Sequence, residues 1–81
     1  MYYLYVLSCL DKSLYTGITN NLAKRMKIHR LGKGSKYVFA HLPFKLVYTE
    51  IFQSKSKALK RELEIKKWKR EEKIRNLRLK V

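Results

Sequence analysis

The sequence predicts a small α+β domain in which helices flank a three-stranded antiparallel sheet, in the order β-β-α-β-α-α. Three observations predict this class. Strand-type runs occur near the start and in the middle of the chain, and helical patterns follow each of them. The 81 residues allow one domain and no more. The hydrophobic fraction of 46% is too high for a disordered basic tail, so residues 1–81 are expected to fold as a single domain.

The first two elements are predicted as a β-hairpin. Residues 2–8 are rich in aromatic and branched side chains, and residues 14–18 form a second run of the same kind. The short segment between them carries Asp and Ser, which bond readily to nearby backbone in turns. Since successive side chains of a strand point to opposite faces, Tyr15 and Gly17 share one face of the second strand.

A helix over residues 22–31 and a third strand over residues 45–52 are predicted next. Three residues that can cap exposed N–H groups precede the helix, and Gly32 suits the position after its end. Residues 37–43 are compatible with an extended connection or with a short helical turn, since proline at their end limits the residue before it.

The last third of the chain is predicted to be helical. A second helix opens at residues 54–56 and extends to about residue 69. Residues 70–79 either continue this helix or form a third one after a break. At about 100° per residue, one arc of the second helix is predicted to face the core, and it holds Ala58, Leu59, Leu63, Ile65 and Trp68.

Net charge gives the first indication of function. Twenty Lys and Arg against six Asp and Glu leave a formal charge of +14, which predicts a polyanionic partner, most simply nucleic acid. One cysteine excludes an internal disulfide framework, and one cysteine with two histidines does not make a four-ligand zinc site. No apolar run reaches membrane-spanning length and no export signal is evident, so we expect a cytoplasmic protein without a membrane partner.

Glu62 is out of pattern because it falls inside the core-facing arc of the second helix. An acid among buried side chains is unfavourable unless it is paired or ligated. One interpretation is an i,i+4 ion pair with Lys66, worth roughly 0.2–0.5 kcal/mol. The other is a carboxylate that points into a cleft and holds a hard cation such as Mg²⁺. The pattern alone leaves both open.

The first helix and the hairpin supply four further candidates. Arg25 and His29 lie at i and i+4 on one flank, where they are either a pair on a wet surface or a phosphate ligand beside a titratable imidazole. Tyr5 and Tyr15 are either ordinary strand residues with a buried ring and a wet hydroxyl, or part of a site. Gly17 in a strand often marks the close approach of backbone or ligand.

These residues, in this order, resemble the GIY-YIG nuclease superfamily. Tyr3-Leu4-Tyr5 matches the first short motif and Tyr15-Thr16-Gly17 the second. A helix with Arg25 and His29 follows, and a later helix carries the single glutamate, Glu62. The resemblance covers nearly the whole chain. It is greatest to small bacterial single-domain members, which are similar to the N-terminal nuclease domain of excinuclease C.

Two departures from the family pattern stand out. Tyr3 occupies the place of the nominal glycine in the first motif, as is common in small members. Val38 and Phe39 follow Tyr37, where small members often carry Thr-Arg, so one phosphate contact is expected to be missing.

The resemblance implies a metal-dependent endonuclease that hydrolyses phosphodiester bonds in DNA, with DNA repair or recombination as its setting. It implies Mg²⁺ or Mn²⁺ on Glu62 and charge neutralisation by Arg25. Tyr5 or Tyr15 would position or deprotonate the attacking water and relay a proton to His29. Three lysines are expected to contact the nucleic acid: Lys33, Lys36 and Lys66.

Two other functions fit the charge and are kept as alternatives. One is a basic DNA- or RNA-binding module without catalysis, for which Glu62 would be dispensable. The other is a structural RNA-binding protein, which gives no reason for an acid in an apolar arc. RNA as a substrate, a protein partner and the oligomeric state are left open by the sequence.

Overall fold

Three strands and four helices make up the chain, which a computed structural model describes over residues 1–81. The strands, in chain order, are β1 (Tyr2–Cys9), β2 (Leu14–Thr19) and β3 (Phe44–Phe52). The helices are α1 (Leu22–Arg30), α2 (Lys36–Ala40), α3 (Lys55–Lys66) and α4 (Arg70–Leu77).

The strands form one antiparallel sheet in the order β2-β1-β3, which confirms the predicted α+β class. In the hairpin, Tyr5 pairs with Gly17 and Leu7 pairs with Tyr15. The predicted alternation therefore places Tyr5 and Tyr15 on one face of the sheet. None of the helices is both long enough and apolar enough to span a bilayer.

The central strand β1 is buried on both of its faces, which accounts for its nearly continuous run of apolar side chains. On one face, Leu4 and Val6 pack in a cluster whose other buried members come from α3, α4 and the segment after α4, namely Ile65, Leu77 and Leu79. On the other face, Tyr5 and Leu7 pack with residues of α1 and α2, namely Met26 and Val38. The second cluster surrounds the candidate site.

The structure resolves both open questions about the helices. Of the two options for residues 37–43, the short helical turn is confirmed, because α2 begins at Lys36. The preceding Ser35 caps it, since its Oγ accepts the Val38 N–H at 3.4 Å. After α3, the chain breaks and a separate α4 begins. The Glu72 carboxylate caps its start by accepting the Lys69 N–H at 3.0 Å.

The core-facing arc predicted for the second helix is wrong at two positions. Ala58 and Ile65 are fully buried, but Leu59 is 39% exposed and Leu63 is 60% exposed. The three-stranded sheet covers only one side of α3, so the apolar residues on the flank are left in water. Helical periodicity predicts the direction in which each side chain points. It does not predict how much of the helix surface the sheet covers.

Replacing Thr16 with valine is expected to stabilise the protein. Thr16 is 2% exposed, and its hydroxyl has no hydrogen-bond partner. Valine keeps the shape and removes the buried hydroxyl, so we expect a gain of about 1 kcal/mol in the free energy of unfolding. Thr19→Val is the matched control, since the Thr19 Oγ1 accepts the Asn21 N–H at 3.1 Å. Urea denaturation should show a gain for the first variant and a loss for the second. A lower free energy of unfolding in both variants would contradict the conclusion that the Thr16 hydroxyl has no hydrogen-bond partner.

Candidate active site

A buried tyrosine–histidine pair forms the centre of the candidate site. The Tyr5 Oη lies 2.9 Å from the His29 Nε2, and the two residues are 2% and 1% exposed. Tyr5 comes from the middle of β1, and His29 from the last turn of α1. The interpretation of His29 as part of a surface pair is wrong, because the helix turns this imidazole into the apolar cluster and not along its wet flank.

Two glycines leave the space that this pair occupies. A Cβ on Gly17 would lie 2.6 Å from the Tyr5 Oη, and a Cβ on Gly34 would lie 2.7 Å from the His29 Nδ1. Distances this short do not occur for real side chains, so each position accepts only glycine without movement of the pair. Gly17 was singled out from the sequence and Gly34 was not. The available signal was the Gly-x-Gly spacing within the basic loop after α1.

Tyr15 lies beside the pair and extends the site toward the surface. Its ring meets His29 edge-on at a centroid distance of 5.7 Å and lies 6.4 Å from the Tyr5 ring. On its outer side it stacks on Tyr37 of α2, with centroids 6.0 Å apart. Both predicted tyrosines are therefore in one cluster with His29, and α2 adds a third tyrosine that the sequence did not assign to the site.

Arg25 and Glu62 place opposite charges near the Tyr5 hydroxyl. The positive charge of Arg25 lowers the pKa of Tyr5, and the negative charge of Glu62 raises it. Arg25 is one helical turn before His29, and Glu62 is on α3. All five predicted catalytic residues thus lie in one region, although they come from four different elements.

The pKa values of the central pair shift in opposite directions. Burial, followed by the neighbouring Tyr15, raises the pKa of Tyr5 well above its ordinary value. Burial and then the Arg25 charge lower the pKa of His29. At neutral pH the pair consequently consists of a protonated phenol and a neutral imidazole. The His29 Nδ1 has no hydrogen-bond partner, so no other group of the protein stabilises a charged ring.

Of the two interpretations of Glu62, the ion pair with Lys66 is present in the structure. The Lys66 Nζ lies 3.4 Å from its Oε2, so the i,i+4 pair forms. Its side chain is only 14% exposed, whereas that of Lys66 is 50% exposed. Nowhere in the chain do three or more His, Cys, Asp or Glu side chains form a group that could hold a metal ion by themselves. One partly buried carboxylate fits an ion such as Mg²⁺, which keeps several waters and binds one or two carboxylates together with substrate phosphates.

The three lysines predicted to contact nucleic acid have different environments. Lys33 and Lys36 are exposed beside the site, and neither forms an ion pair. Lys66 instead pairs with Glu62. Between Asp11 and Glu50 the chain has no acidic residue, so the segment that carries the first two lysines has no acid of its own. Asp11 approaches this segment at His41, with 3.4 Å between the Asp11 Oδ2 and the His41 Nε2.

Comparison with known proteins places the chain in one family. The family model described as the GIY-YIG catalytic domain matches residues 1–76. A UPF0213 protein of Staphylococcus haemolyticus is 47% identical over 74 residues, which span 91% of this chain and 90% of the relative. One from Bacillus licheniformis is 53% identical over 74 residues, which span 91% of this chain and 76% of the relative.

Two solution structures have the same fold. The UPF0213 protein of Bacillus halodurans superimposes with a TM-score of 0.63 and 42% identity, over 96% of this chain and 84% of that one. A protein of E. faecalis superimposes with a TM-score of 0.68 and 37% identity, over 95% and 82% of the two chains.

Proposed function

The chain belongs to the GIY-YIG family of catalytic domains, and from this premise we propose that it is a metal-dependent endonuclease that hydrolyses phosphodiester bonds in DNA. Membership of the family implies nuclease activity in general. The observation that carries the finer proposal is the buried Tyr5–His29 pair, with Arg25 and Glu62 close enough to change the pKa of Tyr5.

The Tyr5–His29 pair is suited to activating the attacking water. Of the two candidate tyrosines, Tyr5 alone has its hydroxyl within hydrogen-bond distance of the imidazole. We assign Tyr5 the role of orienting the water and accepting its proton, while the phenolic proton moves to the His29 Nε2. The imidazole can receive that proton because burial and Arg25 keep it neutral at physiological pH. Tyr15 packs against the ring and keeps it in place.

Arg25 and the lysines of the basic loop would hold the DNA backbone. A guanidinium can bind two phosphate oxygens at once, so Arg25 is assigned to the scissile phosphate and to the negative charge that develops on it. Lys33 and Lys36 are assigned to flanking phosphates, since both are exposed and unpaired.

Glu62 is assigned as the protein ligand of Mg²⁺ or Mn²⁺. The bound ion would supply charge stabilisation for the leaving oxygen and the crowded phosphate. Lys66 pairs with this carboxylate in the free protein, and we assign it to a phosphate once that pair is released. We further propose that residues 1–81 act as one catalytic domain in the cytoplasm, in DNA repair or recombination.

Removal of divalent ions tests this function. We expect purified protein to cleave supercoiled, branched or single-stranded DNA in Mg²⁺ or Mn²⁺, and cleavage to stop in EDTA and return when excess Mg²⁺ is added. Gel electrophoresis of the products measures the result. If the protein bound DNA but cleaved none in any metal, the non-catalytic nucleic-acid-binding module would be favoured. If it cleaved RNA and no DNA, the substrate would be RNA.

A further inference from the structure

The loop between α1 and α2 contacts the site and also supports an exposed aromatic ring of α2. Phe39 of α2 is 62% exposed, although a phenylalanine usually buries its ring. One side of the ring rests on Gly32, where a Cβ would lie 2.9 Å from the Phe39 Cε1. Gly32 has a φ of +78°, which glycine adopts freely. The ring is therefore supported on one side and open to solvent elsewhere.

This ring is connected to the active site through a few residues of backbone. Gly32 supports Phe39, and Gly34, two residues later, lies against the His29 imidazole. Lys33 stands between the two glycines. A ligand on the Phe39 ring would consequently lie near the scissile phosphate, on the side of the basic loop.

The charge around the ring indicates what covers it. The segment between Asp11 and Glu50 has no acid and eight cations, namely Lys12, Lys24, Arg25, Lys27, Arg30, Lys33, Lys36 and Lys45. Asp11 reaches the end of α2, with 3.4 Å between its Oδ2 and the His41 Nε2, but the segment keeps a large excess of cations. An exposed ring in such a segment suits a ligand that is both flat and anionic. An unpaired nucleotide has this chemistry, because its base can stack on an aromatic ring while its phosphates meet lysines.

We propose that Phe39, supported by Gly32, is a stacking platform for an unpaired base of the DNA that the site cleaves, with Lys33 and Lys36 holding the adjacent phosphates. The proposal rests on the proposed function and narrows its substrate to DNA with at least one unstacked nucleotide near the scissile bond. Fully paired DNA keeps its bases inside the duplex and does not reach the ring.

The test is a binding measurement in EDTA, where no cleavage can occur. The probe is a single strand of about 12 nucleotides with 2-aminopurine in place of one base, and a duplex of the same sequence is the comparison. We expect the wild-type protein to bind the single strand and quench its fluorescence. Phe39→Leu keeps apolar contact with Gly32 and removes the aromatic face. It should weaken single-strand binding by about 5- to 150-fold, the range for loss of one stacked base, and leave duplex binding unchanged.

Two further variants control for folding and exposure. Phe39→Trp should bind the single strand at least as well as wild type. Ile51 on β3 is 61% exposed, close to the 62% of Phe39. Ile51→Ala should change neither the affinity for the single strand nor that for the duplex. Equal single-strand binding by Phe39→Leu and wild type, or equal weakening for both probes, would overturn the proposal. So would poly-glutamate binding that depends on Phe39, because the ring would then dock an acidic protein. Absence of binding to either DNA in EDTA would also overturn the proposal, whereas the proposed function is decided separately by cleavage in Mg²⁺ or Mn²⁺.

Discussion

Glu62→Gln is expected to abolish DNA cleavage while the protein still folds and binds DNA. The substitution keeps the size of the side chain and removes the negative charge that would hold a divalent ion. Charge stabilisation by a bound metal is worth several kcal/mol in the transition state, so the cleavage rate should fall by about 10³-fold or more. Initial rates at saturating DNA, in Mg²⁺ and in Mn²⁺, measure the effect.

A second glutamate of the same helix provides the matched control. Glu64 lies two residues further along α3, where its carboxylate pairs with Arg61. Glu64→Gln also removes one negative charge from α3, so it has the same effect on net charge and should keep the wild-type rate. Electron paramagnetic resonance of free Mn²⁺ gives a readout independent of activity, and only Glu62→Gln should lose binding. A Glu62→Gln variant that cleaves within twofold of wild type would show that Glu62 serves only its ion pair with Lys66.

The sequence pattern predicted part of the environment of Glu62. Helical periodicity identified it as an acid on the side of α3 that faces the core, and the i,i+4 spacing identified its partner Lys66. Both follow from geometry within one helix, and both are present in the structure. The charge of Glu62 also raises the pKa of Tyr5, a residue of β1, and this depends on how the helix packs on the sheet.

Short-range sequence signals predicted the helices that begin with a capping residue and the strands whose side chains alternate between two faces. The Asn21 side chain accepts the Lys24 N–H at 3.0 Å, and the Ser54 Oγ accepts the Lys57 N–H at 3.2 Å, so both long helices begin where capping residues predicted. The shared face of Tyr15 and Gly17 likewise follows from alternation along one strand of a short hairpin. In each case the interacting residues are close in sequence, which is why the sequence alone was sufficient.

The burial of His29 could not be predicted in the same way. Half of the other residues of α1 are charged, and Arg25 on the same flank favoured a surface position. The structure buries it because Tyr5 lies on one side of the imidazole and Gly34 on the other. These contacts join β1, α1 and the following loop, and no periodicity within α1 contains them. The stacking of Tyr37 on Tyr15 escaped prediction for the same reason.

Tyr5→Phe is expected to lower the cleavage rate by about 10²- to 10⁴-fold, the usual contribution of a positioned general base. The phenyl ring remains in the buried cluster, and only the hydroxyl beside the His29 Nε2 is lost. The variant should also lose about 1–3 kcal/mol of stability, because the imidazole is left buried without a partner. Tyr48→Phe, which removes a hydroxyl bonded to Glu50 on β3, controls for a stability loss away from the site and should keep its rate.

The pH dependence of the rate separates this role from simple packing. The relay needs a neutral His29, and its pKa is lowered by burial and by Arg25. The wild-type rate should therefore stay level through neutral pH and fall only when the pH drops below the ordinary histidine value of about 6.5. The residual rate of Tyr5→Phe should lack this fall, because it no longer passes a proton to the imidazole. If Tyr15→Phe lost the rate and Tyr5→Phe kept it, the water-activating role would belong to Tyr15.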